Sequence, residues 1–202
     1  LKNTASSFIL YLSLKPGAFP YLNYNYYFHA SGDPWKEASG KENWPEMFLL
    51  STACHKKGQK FAETATVMTY MQYDEFSRWA DTCTGSRGRE YLAFRDEKAG
   101  RLLDTVSKRF PGLKKAITGM EISTPLTYRD FAGSPEGSLY GIQKDFNEPL
   151  MTTVMPRTKI PNFYFTGQNT NLHGVVGVTI GSVVTCGEIL GLDYLLKKIK
   201  DA

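Results

Sequence analysis

At 202 residues the chain is long enough to bury about 70% of the surface its unfolded form exposes, as one large domain or two small ones. Its 24 basic and 20 acidic residues give a net charge of +4, scattered except at Lys197, Lys198 and Lys200, which read as a solvated last helical turn; this argues against a nucleic-acid partner. Cys54, Cys83 and Cys186 are odd in number and fit no metal-ligand spacing, which disfavours a disulfide framework and a metal site; reduced thiols, two of them packed, suit a cytoplasmic protein.

The chain starts at Leu1 without the basic, apolar, small-residue order of a secretory signal, so the start reads as a cut end. Residues 6–14, SSFILYLSL, alternate with period two and place Phe8, Leu10, Leu12 and Leu14 on one face of a strand. NYNYYFHA does the same with Tyr24, Tyr26 and Phe28, after a connection made by Pro16, Gly17 and Pro20. Two more strands are predicted at 46–53 and 62–72, joined by CHKKGQK, whose Gly58 and lysines suit an exposed hairpin loop. From Gly88 to Phe110 the period becomes helical, with Leu92, Ala99, Leu102, Leu103, Val106 and Phe110 on one face and Pro111–Gly112 as the stop. ITGMEIST at 117–124 returns to a strand pattern, and the whole predicts an α+β fold with a mixed or antiparallel sheet. In the stretch 123–142, Pro125, Gly133, Pro135, Gly137 and Gly141 are dense enough to predict an ordered loop or linker.

The last informative stretch is PNFYFTGQNTNLHGVVGVTIGSVVTCGEILG, residues 161–191. A membrane span needs roughly 20 apolar residues. The uncharged run Gly174 to Gly187 has 14, preceded by polar Gln168, Asn169, Asn171 and His173, so a buried core helix fits better. A dinucleotide fingerprint needs G-x-G-x-x-G directly after a strand, and TGQNTNLHGVVGVTIG does not supply it. What remains is a strand at 162–166, a polar loop and a helix from about Gly174. The glycines at 174, 177 and 181 lie on one helix face that something approaches closely. A neighbouring helix or strand satisfies that spacing best; a ligand at the helix start is the alternative, because free N–H groups and the positive dipole end favour an anion there.

FYFTGQNTNLHGVVGVTIGSVVTCGEILG resembles the C-terminal signature of the FAD-dependent retinol saturase, carotenoid isomerase and phytoene desaturase family, most of all its retinol saturase-like branch. The likeness extends upstream through TPLTYRDFAGSPEGSLYGI and KRFPGL, over residues 107–191. It implies that residues 1–150 are a substrate-binding α+β region and that residues 151–202 are the strand-and-helix return of a discontinuous, Rossmann-like FAD-binding domain. Gly167 and Gln168 fall where relatives carry a glycine and usually an acid that bonds the ribityl hydroxyls; glutamine can still bond them. His173, Gly174, Val175 and Val176 fall at the turn into the helix, whose N–H groups would face the pyrimidine edge of the flavin. His173 is given a role in ordering the loop, and no catalytic residue is assigned.

The family's N-terminal glycine-rich fingerprint has no counterpart in the 202 residues, so the half that holds the FAD phosphates is missing. The resemblance therefore implies a C-terminal portion of a longer flavoenzyme acting on carbon–carbon double bonds of a hydrophobic polyene or isoprenoid, inactive alone and not retaining FAD. Tyr24, Tyr26, Phe28, Met68 and Tyr70 would line its substrate tunnel, and peripheral membrane contact would give substrate access. The alternatives are a non-enzymatic lipid-binding or assembly module, and an amine oxidase-like flavoenzyme, for which no aromatic cage can be assigned.

Overall fold

The computed structural model describes residues 1–33, 43–170 and 172–201; Asn171 of the polar loop falls outside them. The chain forms two compact units, residues 5–137 in one and residues 1–4 with 138–202 in the other.

In the larger unit β1 (Ser6–Leu14), β2 (Tyr26–His29), β3 (Met47–Ala53), β4 (Thr64–Met71) and β5 (Ile117–Ser123) make one sheet in the order β2-β3-β4-β1-β5. Every pairing is antiparallel, which resolves the expected mixed or antiparallel sheet. The register sets Leu10 opposite Val67 and Val67 opposite Leu50, so the apolar members of three strands line one face. That face is covered by α1 (Gly88–Ser107), whose Ala99, Leu102, Leu103 and Val106 recur at helical spacing and are buried. Phe8, Leu10, Phe48, Leu50 and Val67 are fully enclosed between sheet and helix, each worth about 1.5–3 kcal/mol of burial. Leu92, expected on the same face, is exposed and lines an open cleft of about 520 Å³ with Arg87, Ile122 and Phe131.

The five residues expected to line one tunnel do not share a face. Tyr26 and Phe28 pack on the α1 side. Met68 and Tyr70 alternate with buried Val67, Thr69 and Met71, so they point to the opposite side of β4. Tyr24 precedes β2 and is exposed.

The expected loop at 123–142 contains a helix. After α2 (Leu113–Ala116) and β5, α3 runs Pro125–Ala132. Pro125 stands in its first turn and Gly133 closes it in the left-handed conformation, φ 64°. Proline and glycine mark the ends of a helix as readily as its absence, and their density alone conceals the eight residues between them.

An ion-pair cluster ties α3 to the segment before α1. The Arg87 guanidinium, 5% exposed, donates to the Thr82 carbonyl at 2.9 Å and pairs with Asp130, which also accepts from Thr84 Oγ1 at 2.7 Å and Arg129 Nη2 at 2.8 Å. Burial pushes the Asp130 carboxyl up, but the Thr84 hydroxyl, the Arg129 hydrogen bond and the charges of Arg87 and Arg129 outweigh it and hold it below the usual carboxylate value. A depressed carboxylate contributes stability above its unfolded pKa and loses it as pH falls through the folded one. Asp130→Asn should therefore cost about 2 kcal/mol at pH 7. Urea unfolding from about pH 4 downward should then narrow the gap to wild type. A gap independent of pH would show that the carboxylate charge is not what matters.

The smaller unit holds α4 (Pro149–Thr152), α5 (Gly174–Leu190) and α6 (Leu192–Lys200). The strand expected at 162–166 is absent: Tyr164 makes an isolated antiparallel bridge to Arg157, and Phe165 N–H donates to the Pro156 carbonyl at 2.8 Å. A strand exists only through its neighbours, and all five sheet strands belong to the other unit. The expected buried core helix is also corrected. On α5 only Gly177, Gly181 and Thr185 are buried, while Val175, Val176, Ile180, Ile189 and Leu190 are exposed. Of the cysteines expected to pack, Cys54 is half-buried but Cys83 and Cys186 are exposed, and all three are free thiols. Among the described residues no helix is long and apolar enough to cross a membrane.

Candidate functional site

The loop into α5 is built as a staple. Gly167 takes φ +97°, and its carbonyl accepts from the Thr170 N–H at 3.2 Å and the Thr170 hydroxyl at 2.7 Å. A left-handed residue there favours glycine. Thr170 is buried, and its carbonyl accepts from Lys144 Nζ at 2.6 Å. The same ammonium reaches the carbonyls of Thr152 at 3.0 Å and Asn169 at 3.1 Å. Burial pulls Lys144 below the ordinary lysine value.

The two parts of the expected site meet one short segment. A Cβ on Gly141 would fall 2.1 Å from Asn169 Oδ1 and 3.5 Å from Gln168 Cγ, while Asn169 Oδ1 accepts the Ile142 N–H at 3.0 Å. The neighbouring Tyr140 ring lies 4.5 Å from the His173 ring, centroid to centroid, at 38°. Gln168 and His173 thus both stand against Tyr140–Ile142. That segment is itself pinned by residues 1–4: Thr4 N–H donates to the Gly141 carbonyl at 2.8 Å and Gln143 N–H to the Lys2 carbonyl at 2.8 Å.

His173 is the N-cap of α5 in extended backbone and makes no side-chain cap, and no acid lies in the first turn. The amides of the first turn therefore have no side-chain cap from the N-cap residue, at the end where the helix dipole favours negative charge. Gly174 takes φ +74° with open space where a Cβ would be. Val175 and Val176, at 87% and 72% exposure, stand beside those amides. The close approach predicted for the glycine face is made by the preceding loop. A Cβ on Gly177 would lie 2.7 Å from Leu172 Cβ and 2.9 Å from its backbone carbon, and one on Gly181 would touch Thr170 Oγ1 at 3.7 Å. The packing explanation holds at 177 and 181, and Gly174 remains open to a ligand.

Sequence reasoning missed Lys144, and it named Asn169, Tyr140 and Gly141 without assigning them to the site. The signal was LYGIQK, an aromatic, a glycine and a lysine at the edge of a stretch read as linker.

No protein-family model matches the chain. It is 29% identical over 164 residues to the all-trans-retinol 13,14-reductase of Danio rerio, covering 77% of this chain and 26% of that protein. The Homo sapiens all-trans-retinol 13,14-reductase is 29% identical over 121 residues, 58% of this chain and 20% of that one. The chloroplastic prolycopene isomerase of Arabidopsis thaliana is 29% identical over 112 residues, 54% and 19% respectively. These homologues are consistent with a partial match to the retinol saturase and carotenoid isomerase family. The expected resemblance to that family is borne out at that level. The matched stretches span about a fifth to a quarter of these relatives, 19–26% of their length.

Proposed function

We propose that this chain is the C-terminal portion of a flavin-dependent oxidoreductase acting on carbon–carbon double bonds of a hydrophobic polyene or isoprenoid. The observation that carries the reading is kinship to an all-trans-retinol reductase and a prolycopene isomerase at once. Their names give different reactions but both specify a conjugated chain. The loop and helix start at 167–176 would be the flavin-end return of a discontinuous, Rossmann-like FAD-binding domain, and the sheet unit would bind substrate. The residues fit that part of the cofactor: half-buried Gln168 offers a donor and an acceptor for ribityl hydroxyls. Gly174 leaves room at uncapped amides, where dipoles favour anionic charge, and Val175 and Val176 offer apolar surface to a ring. Bound there, FAD would supply the hydride chemistry. His173, held against Tyr140, orders the turn and moves no proton. A cytoplasmic protein touching the membrane at its surface would meet such a substrate.

The longer gene product that this reading requires should show a flavin band at one equivalent and transform a retinoid or carotenoid, whereas the 202-residue chain should purify without stoichiometric FAD. In the longer protein Gly174→Ala should weaken FAD about tenfold, through a Cβ forced into left-handed backbone at the ring. Gln168→Ala should lower FAD affinity more than flavin-saturated turnover. A stoichiometric flavin band on the 202-residue chain would sink the fragment reading. A flavin-free longer protein that still binds lipid would replace the flavoenzyme by a binding module.

A further inference from the structure

We propose that α6 docks in the plane of an anionic lipid surface. At about 100° per residue, Leu192, Leu195, Leu196 and Ile199 fall within roughly 100° of arc, the width of a single apolar stripe. In a helix packed on a core this stripe would be buried. Here no residue of α6 is buried, and Leu192, Leu196 and Ile199 are 47%, 49% and 52% exposed. Leu195 is half-buried, and Leu192 packs at Gly187, so the helix is anchored to α5 while its stripe stays open.

The charges say what covers it. Lys197, Lys198 and Lys200 crowd the last turn, where they also complement the helix dipole. On the helical projection Lys198 flanks the stripe on one side and Lys200 on the other, with Lys197 behind Lys200. Asp193 stands in the first turn and Asp201 at the C-cap, so the excess is basic over the last turn. Exposed Tyr194 has the Lys198 ammonium 6.0 Å over its ring, an amphipathic pairing suited to the headgroup layer. At about 13 Å long the helix cannot span a bilayer, but a short basic amphipathic helix lies in the interface with leucines down and lysine stems snorkelling to phosphates. A protein surface over the stripe, the rest of the longer protein included, would need acidic groups placed on both sides of an apolar patch to meet these lysines, whereas an anionic bilayer presents them on every side. This docking depends on neither the flavin nor the polyene.

The test is sedimentation of the 202-residue chain with vesicles of phosphatidylcholine alone and of phosphatidylcholine with phosphatidylserine. Binding is expected on the anionic vesicles, much weaker on the neutral ones, and falling steeply as salt is raised to about 0.5 M. The triple variant Lys197→Gln, Lys198→Gln, Lys200→Gln should weaken partition by about two orders of magnitude, roughly fivefold per lysine. Ile199→Glu should abolish it. Both variants replace exposed side chains, so circular dichroism and melting should match wild type. Absence of binding to anionic vesicles would overturn the proposal, as would binding that both variants retain. So would a dimer that Ile199→Glu dissociates in a chain that never pellets with vesicles, since the stripe would then be covered by a second copy.

Discussion

Lys98→Met is expected to destabilise the sheet unit by about 3–5 kcal/mol, while Lys98→Met combined with Glu75→Leu should recover most of that loss. Lys98 and Glu75 pair with both side chains only 5% exposed, and the ammonium sits 4.7 Å over the Trp44 ring and 5.3 Å over Phe94. Removing the lysine strands a carboxylate in that enclosure. Glu75 Oε1 already lacks a hydrogen-bond partner among the described residues, so nothing nearby can take up the charge. Removing both leaves an apolar contact of similar volume among aromatic rings. Urea midpoints of the two singles and the double decide the matter: a double variant as unstable as either single would show that packing, not the uncompensated charge, is at stake.

Lys144→Met should loosen the candidate site by about 3 kcal/mol locally, because three carbonyls lose one charged donor. Its ammonium joins Thr152, Asn169 and Thr170, and Thr170 in turn closes the turn at Gly167. Amide exchange at Thr170, whose N–H is held by the Gly167 carbonyl, and at Val154, whose N–H is held by the Thr170 carbonyl, is expected to speed up by about two orders of magnitude, with amides of the sheet unit unmoved. Unchanged exchange would mean the turn is held by Gly167 and Thr170 alone. Lys144→Arg should restore part of the protection, since the guanidinium keeps donors but not the compact reach.

What the sequence disclosed depended on whether local pattern and long-range partner agreed. β3 and β4 were legible because period-two alternation matches a covered face, β1 because the same alternation holds from Phe8 to Leu14 even though Ser7 and Ile9 on its second face are buried as well, and α1 because its apolar spacing runs unbroken from Ala99 to Val106. Residues 162–166 have the composition of a strand, but strand geometry needs a neighbour and the smaller unit supplies one bridge. Residues 174–190 have the composition of a buried helix, yet burial is a property of what lies beside them. The turn glycines were located correctly, whereas the groups that fix the turn, Lys144 and Asn169, lie elsewhere along the chain or carry no pattern of their own. A single lysine donating to three carbonyls leaves no periodic trace.

The pairing of residues 1–4 with 140–143 makes the larger unit an insertion within the smaller one. For an unstructured chain, bringing Thr4 to Gly141 would mean closing a loop of about 135 residues, an entropic cost of roughly 4 kcal/mol before any constant term. Once the sheet has formed, most of that loop is already fixed and the remaining search is short. Assembly is therefore hierarchical: the inserted body must condense before the outer one can close, and damage to the sheet core would unravel the loop at 167–173 without touching a residue in it.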